Sequence, residues 1–490
     1  MDSRKLFTLG ILACTFVKVA SAACIASGTE ADINAALNGT GAQAVLCQGA
    51  TFQLNNPVVF TAANQQIFTD GLPTDSRRAI LRITSSNANG QAIGGNQSGI
   101  TIENIEVDGQ RPALGVLKNG SALIEIGGNV SNQTVKNIYA HDGRGWSILH
   151  IQEGTVTNNV PTCQGATITN NSIGPSGTSD GNWADGISLA CGSSTVTSNQ
   201  VTDATDGGIV IFGAPGSLIQ NNTITAVSRV LLGGINMVDW NPVGGNYSGT
   251  RVIGNTINAK GALIKVGIAQ GPATWFCDTQ DRNSGGSVTQ NTLTGANFGY
   301  GYAVNGVSNW TVTNNIDQAR HIGVTSTGCG QASVDRPAGF QYQTIASTTL
   351  QSEFVPATIY WLLGISEPSI LTAVQPSTAC GTFTANQGIL PNQSLLSCDG
   401  RFALTLQSSG NLVLTQGTSQ LFATNTAGLQ VAEAILQGDG NFVLYNVTGQ
   451  SVWSTNTAGN AGARLLLQGD GNLVIYNGST AIWSSGTCCH

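Results

Sequence analysis

Residues 167–173 read TITNNSI, 195–201 read TVTSNQV and 218–224 read LIQNNTI, and the phrase returns as RVIGNTI at 251–257, SVTQNTL at 287–293 and TVTNNID at 311–317. Two earlier forms, TIENIEV at 101–107 and TVKNIYA at 134–140, extend the series backwards. Anchored on Asn104, Asn137, Asn171, Asn199, Asn222, Asn255, Asn291 and Asn314, the steps are 33, 34, 28, 23, 33, 36 and 23 residues. Each phrase alternates Val, Ile and Thr as a short strand and ends in a polar turn, where Asn tolerates left-handed backbone. One such strand cannot bury a core, but coils stacked at a period of roughly 20 to 40 residues can. The pattern predicts a right-handed parallel β-helix over about residues 98–318, with variable loops on the outside. A β-propeller needs four strands in each blade of roughly 40 residues, and the spacing leaves room for too few.

A coil stack has two open ends, and the flanking sequence supplies covers for both. Residues 27–54, SGTEADINAALNGTGAQAVLCQGATFQL, read as a short amphipathic helix and then a strand. Thr29 and Asp32 form a capping box, while Ile33, Ala36 and Leu37 share a face that would plug the first coil. At the far end the apolar stretch 354–365, FVPATIYWLLGI, is expected to cover the last coil. The polar, turn-rich stretch 374–387 then reads as a linker.

From residue 388 to 490 the period changes. LQSSGNLVLT, LQGDGNFVLY and LQGDGNLVIY place Asn411, Asn441 and Asn472 steps of 30 and 31 residues apart, with Phe422, Trp453 and Trp483 following at the same interval. Alternating apolar residues around Ser-Gly and Asp-Gly turns predict three small antiparallel sheets, whose aromatics meet on a pseudo-threefold axis. Two repeats carry Gln-x-Asp-x-Asn-x-Val-x-Tyr in full, as Gln437, Asp439, Asn441, Val443 and Tyr445, and as Gln468, Asp470, Asn472, Val474 and Tyr476. Every second residue of a strand faces the same way, so each set lines one surface. Carboxylate, amide and phenol groups there match adjacent sugar hydroxyls, and Val offers an apolar contact to ring carbons. With these residues, the last quarter of the chain resembles the bulb-type mannose-binding lectins, β-prisms of three subdomains. The resemblance implies mannose binding at both full motifs. The first repeat keeps Gln407 and Asn411, but Ser409 stands in place of Asp and Thr415 in place of Tyr.

The coil region carries a second set of candidates. Aligned on a Gly-Ile step, successive coils read WADGISLA, ATDGGIVI, LLGGINMV and IKVGIAQG. Equivalent positions of adjacent coils lie about 4.8 Å apart, so Asp185 and Asp206 meet near the start of neighbouring strands. Asp203 and Asp180 fall nearby, and Lys265 stands two coils on. Two carboxyl groups in a groove provide what glycosidic hydrolysis needs, one to protonate the leaving oxygen and one to activate water. The same groups could hold a cation for a lyase, with Lys265, Arg229 or Arg251 as base. Over about residues 24–370 the coils resemble the pectin-lyase-like superfamily, and their order resembles the polygalacturonases. Those enzymes carry Asn-Thr-Asp, Asp-Asp, Gly-His-Gly and Arg-Ile-Lys where this chain has Ala184-Asp185, Asp206-Gly207, Gly233-Gly234 and Leu263-Ile264-Lys265. The resemblance implies Asp185 as a water-activating carboxylate, Asp206 as the general acid and Lys265 as a substrate-binding residue. The second Asp, the His and the Arg of the pattern have no counterpart. His141, Asp142, Arg144 and His150 form a further polar cluster, and Trp183 could stack on a sugar face. Ser147 and Cys191 lack a base partner.

Composition narrows the remaining choices. Among 490 residues, 9% are charged, 41% are hydrophobic and 63 are Gly, which disfavours charge-laced helices and simple disorder. A formal charge of −7 lacks the footprint of a nucleic-acid binder. Arg4 and Lys5, an apolar run over 6–19 and Ala20-Ser21-Ala22 have the layout of a secretory signal, predicting removal of residues 1–22. A secreted chain makes disulfides the default for its cysteines, with Cys24–Cys47, Cys163–Cys191 and Cys277–Cys329 as local pairs. Sequons from Asn38 to Asn477 would then carry glycans. No cysteine has zinc-site spacing, no metal or cofactor is implied, and beyond the signal no apolar run reaches about 18 residues.

The combined expectation is an all-β, secreted carbohydrate-active protein. Its parts are a β-helix domain at 23–373, a linker at 374–387 and a lectin domain at 388–490. The β-helix would be an inverting polysaccharide hydrolase with Asp206 as acid and Asp185 as base, delivered to mannose-containing glycans. The alternatives are a non-catalytic mannose-binding or adhesive protein with the β-helix as scaffold, and a polysaccharide lyase.

Overall fold

The computed structural model describes residues 24–178, 181–278, 280–330, 332–367, 370, 379–446 and 451–490. The expected signal at 1–22, Asp180 and linker residues 374–378 lie outside them.

Each coil contributes three short strands, as in Thr195–Thr197, Gln200–Thr202 and Gly207–Ile211. Repetition of this circuit builds three sheets of 11 strands each, and their pairings are parallel, which makes the region a parallel β-helix. Coils stack in constant register: Ile168 lies opposite Val196, followed by Ile219, Val252, Val288 and Val312. All six are fully buried. Burying such a side chain stabilises by about 1.5–3 kcal/mol, so the aliphatic columns hold the stack together.

The repeated asparagines occupy two columns, not one. Asn104, Asn137, Asn170, Asn221 and Asn314 sit at positive φ on the corner between strands. Asn171, Asn199, Asn222, Asn255, Asn291 and Asn315 follow that corner and are buried. From Asn171 to Asn291, each Nδ2 donates to Oδ1 of the next coil's asparagine at 2.9–3.0 Å. The anchor series of the sequence reading therefore slips by one residue at Asn171 and slips back at Asn314. Asn suits both columns for different reasons: it tolerates the left-handed corner, and its amide both donates and accepts.

The N-terminal cap is the helix Glu30–Ala36, where the Asp32 carboxylate accepts from Thr29 N at 2.8 Å and Thr29 Oγ1 accepts from Ala31 N at 3.2 Å. Ile33 and Leu37 enter the core, and Cys24–Cys47 ties the segment down. The C-terminal stretch divides its work. Phe354 closes the last coil against Phe340, which stacks on Tyr302. Ile359, Leu362 and Ile365 instead fold back over the outward face of Ile264–Gln270 and Phe298–Val304, packing with Val266, Ala269 and Tyr300.

The C-terminal module has three four-stranded antiparallel sheets. Phe422, Trp453 and Trp483 meet at their centre with ring centroids 6.1–6.2 Å apart, as the spacing predicted. Thr382–Phe383 already pairs with Leu465 and Leu466, so the prism begins upstream of residue 388. Arg336 of the β-helix donates to the buried Glu433 carboxylate of the prism at 2.9 Å.

The three expected disulfides form, joined by Cys380–Cys398. Cys488 and Cys489 depart from the default of pairing and are exposed thiols with sulfurs 3.0 Å apart. Among the described residues, no helix is long and apolar enough to cross a membrane.

Candidate active site and prism pockets

The sheet containing Asp185–Leu189, Gly207–Ile211, Leu231–Met237 and Ile264–Gln270 turns one face to the core and the other outward. Its inward column is Ile187, Ile209, Ile235 and Ile268, the Gly-Ile alignment of the sequence. On the outward side, Asp185 and Asp206 line one cavity of about 490 Å³ together with Asp239. A side chain at Gly207 would meet Asp185 and Asn236, and one at Gly233 would collide with Asn236. These two glycines therefore keep the cavity open.

The carboxyl groups differ in surroundings. Asp185 is 5% exposed, and burial, followed by the charge of Asp206, raises it well above the usual carboxylate range. Ser188 Oγ–H at 2.8 Å and Gly207 N–H at 2.9 Å donate to it and oppose that rise. Burial pushes Asp206 up to about 6. Burial and then Asp206 push Asp239 up to about 7. Three carboxyl groups sharing one cavity do not all ionise together, so the site holds a proton to near neutrality while still offering an acceptor. Asn236 is 2% exposed, and its Oδ1 lacks a partner among the described residues. Trp146, Trp183, Phe212 and Trp275 provide aromatic walls.

Lys265 takes a different place. It is 1% exposed, and its Nζ donates to Leu363 O at 2.7 Å and lies 3.6 Å from Glu367. Leu363 and Glu367 line the cavity, so Lys265 supports its wall from behind. Burial lowers the Lys265 pKa, and Glu367 opposes this. Arg229 donates to Gly177 O at 2.6 Å, while Arg251 is exposed on another sheet. Neither is among the residues lining the cavity.

Asp203 holds a turn, accepting from the backbone of Val227 and Ser228 and from Ser228 Oγ. His141 binds Asp142 at 2.8 Å; burial lowers its pKa, but Asp142 and Glu106 outweigh this and raise it to about 9. Arg144 donates to Leu114 O and Gly115 O. His150 lies near the cavity with its ring edge-on to Trp146 and Nδ1 3.3 Å from Glu125. Ser147 Oγ contacts Ser188 Oγ at 2.8 Å, and Cys191 is in a disulfide.

Asp239, Asn236 and the aromatics Trp146, Phe212 and Trp275 were missed by the sequence reading. The available signal for Asp239 lay past the Gly-Ile step: four residues beyond the aligned Ile there is Cys191 in one coil, Gly213 in the next and Asp239 in the third.

In the prism, Gln437 Nε2 donates to Tyr445 Oη at 2.7 Å and Gln468 Nε2 to Tyr476 Oη at 3.0 Å. Asp439 and Asp470 each accept from the backbone N–H of their Asn at 3.0 Å. Val443 and Val474 are buried on the side opposite the Phe442, Leu444, Leu473 and Ile475 core. Asn441 Oδ1 is occupied by Thr455 Oγ1 and Thr457 N, and Asn472 Oδ1 by Ser485 Oγ and Thr487 N. Asn411 in the first repeat makes the same latch with Thr424 and Thr426. That repeat has therefore kept the scaffold role of its Asn while lacking the Asp and Tyr.

No protein-family model matches the chain. A relative, the B-type lectin plumieribetin of Scorpaena plumieri, is 37% identical over 68 residues, covering 14% of this chain and 59% of the relative. The chain thus spans less than two thirds of that relative. Solved structures with local likeness include a Marasmius oreades lectin, 31% identical over 24% of this chain and 96% of that one, with a TM-score of 0.22. The monomeric monocot mannose-binding lectin of Gastrodia elata is 32% identical over 22% and 98%, with a TM-score of 0.20. The mannose-specific agglutinin of snowdrop, complexed with methyl-α-D-mannoside, is 33% identical over 22% and 99%, with a TM-score of 0.19.

Proposed function

We propose that this chain is a secreted carbohydrate-active protein whose β-helix hydrolyses a glycosidic bond and whose prism binds mannose-containing glycans. The observation that carries the catalytic part is the gathering of Asp185, Asp206 and Asp239 in one aromatic-walled cavity. Asp206 gives its proton to the leaving glycosidic oxygen as the C–O bond breaks. Asp185 takes a proton from water, whose oxygen bonds to the anomeric carbon, and solvent then restores both groups. Burial keeps Asp206 protonated up to about 6, and Asp239, pushed up to about 7, is a second protonated carboxyl beside it. No metal or cofactor is needed for this step. The lyase alternative lacks support, because Lys265 is engaged behind the wall and the two arginines lie away from the cavity lining.

For the prism, the support is the pair of five-residue sets on single strand faces, together with the local likeness to a B-type lectin. A set built on one strand face binds weakly by itself, so useful affinity comes from having two. The export signal and the disulfides support secretion.

The test is a digestion screen on plant, fungal and algal polysaccharides with the intact protein, Asp185→Asn and Asp206→Asn. Turnover abolished by either change is expected. Turnover that survives both removes the assignment, and no turnover anywhere favours the β-helix as a scaffold for the lectin module.

A further inference from the structure

The outward face carrying the three carboxyl groups is not open along its whole length. Towards the C-terminus, Ile359, Leu362, Ile365 and Ile370 cover the outward side chains of the next two strands, including Val266, Ala269 and Tyr300. Leu363 and Glu367 from this segment, with Trp275 of the short helix Pro272–Trp275 and Phe276 that caps it, border the carboxylate cavity directly. Lys265 ties the segment down through Leu363 O and Glu367. In the other direction the surface stays open. A second hollow, of about 320 Å³, shares Trp146, Phe212 and Asp239 with the first and extends past His150 and Glu153. The outward column then runs from His150 back through Glu125 to Gly94, where a third hollow lies. A sugar chain laid in this groove enters from the N-terminal side and meets a wall just beyond the carboxyl groups.

The charge of the lining is also one-sided. Its ionisable residues are Asp185, Asp206, Asp239 and Glu367, joined by His150, Glu153 and Glu125 further along, and no Lys or Arg is among the described lining residues. A uronate carboxylate bound here would face like charges and no cationic partner. A neutral pyranose presents only hydroxyls and an apolar face, which suit the carboxylates, the Asn236 amide and the tryptophans.

We infer that the groove is a blind slot that takes the end of a neutral glycan chain, so that cleavage removes short units from that end. This rests on the hydrolase reading above and adds to it the mode of attack and the charge class of the substrate. Polymer interiors cannot pass the wall, whereas a terminus can seat against it.

The experiment uses mannohexaose, cellohexaose and laminarihexaose labelled at the reducing end, with hexagalacturonate as the anionic control. The expected result is a single short product series from the earliest time points, on a neutral substrate, with hexagalacturonate untouched. Phe276→Ala, a change at a half-exposed wall residue, should raise the share of interior cuts. Labelled fragments of every length from the outset, or faster cleavage of hexagalacturonate, overturn the inference. If none of the four is cleaved, calorimetry on Asp439→Ala/Asp470→Ala protein, with the prism silenced, separates the two ideas. Binding of a neutral hexasaccharide that weakens at least tenfold when one chain end is blocked sustains the slot while refuting hydrolysis. Absence of binding refutes both.

Discussion

The β-helix and the prism both repeat an asparagine, and they use it differently. In the β-helix, Asn171 to Asn315 form a buried amide ladder in which side chains satisfy one another across coils. In the prism, Asn411, Asn441 and Asn472 each latch a following strand within their own repeat. The candidate chemistry follows the same division. The prism repeats its polar face with its fold, twice over. The groove is assembled from residues that interrupt the coil pattern, one acid from each of three successive coils. In the prism, period and site coincide; in the β-helix, period builds the wall and departures from it furnish the site.

The strongest way to break this comparison is to neutralise the irregular residues. Asp206→Asn and Asp185→Asn should each lower turnover by about 10²–10⁴-fold while leaving far-ultraviolet circular dichroism and mannose retention unchanged. Loss of mannose retention in either variant would mean that the modules are not independent. Next in size, Asp439→Ala with Asp470→Ala should abolish retention on a mannose column, and either change alone should weaken it by about tenfold or more through lost multivalency. Aspartate is the cleaner target, because removing Asn441 or Asn472 also removes a strand latch.

The ladder and the latch can be weighed against each other by thermal or denaturant unfolding. Asn222→Ala takes the acceptor from the buried Asn199 N–H and from one Asn199 Nδ2–H, at about 1–3 kcal/mol for each unsatisfied group, while Asn255 Oδ1 keeps the backbone N–H of residue 222. Asn441→Ala orphans only the Thr457 N–H, because Thr455 Oγ1 keeps Phe442 O and Thr457 Oγ1, so it should cost about 1 kcal/mol. Equal losses would erase the distinction drawn here.

The smallest expected effect is on pH dependence. Asp185, Asp206 and Asp239 all titrate higher in the folded chain than in the unfolded one. Their contribution to stability is therefore full below a pH of about 4. It is lost as pH rises through about 6 for Asp206 and about 7 for Asp239. Stability should thus slope downwards over this interval, and Asp239→Asn should flatten its upper part. Turnover should fall over the same window as the acid loses its proton. A profile that rises there would reverse the assignment of donor and acceptor.

Periodic features were legible in the sequence because identical neighbours impose identical environments. The Gly-Ile alignment, the prism aromatics, the capping box and three disulfides all follow from repetition or local spacing. Where two adjacent columns accept the same residue type, the reading slipped by one, as at Asn171 and Asn314. What repetition does not encode was harder to see. Asp239 lies past the strand that anchors the alignment, and the wall over Lys265 comes from residues about a hundred positions later in the chain. An apolar stretch such as 354–365 announces that it will be buried, but not which surface it will choose.

Each of the four disulfides closes a short loop inside one module, with the longest span at 52 residues. None bridges the β-helix and the prism, where Glu433 is held by Arg336 and feels the charge of Arg320. A protease cutting between residues 365 and 379 would therefore leave two separately cross-linked bodies, with no sulfur bond keeping the candidate hydrolase and the candidate lectin together.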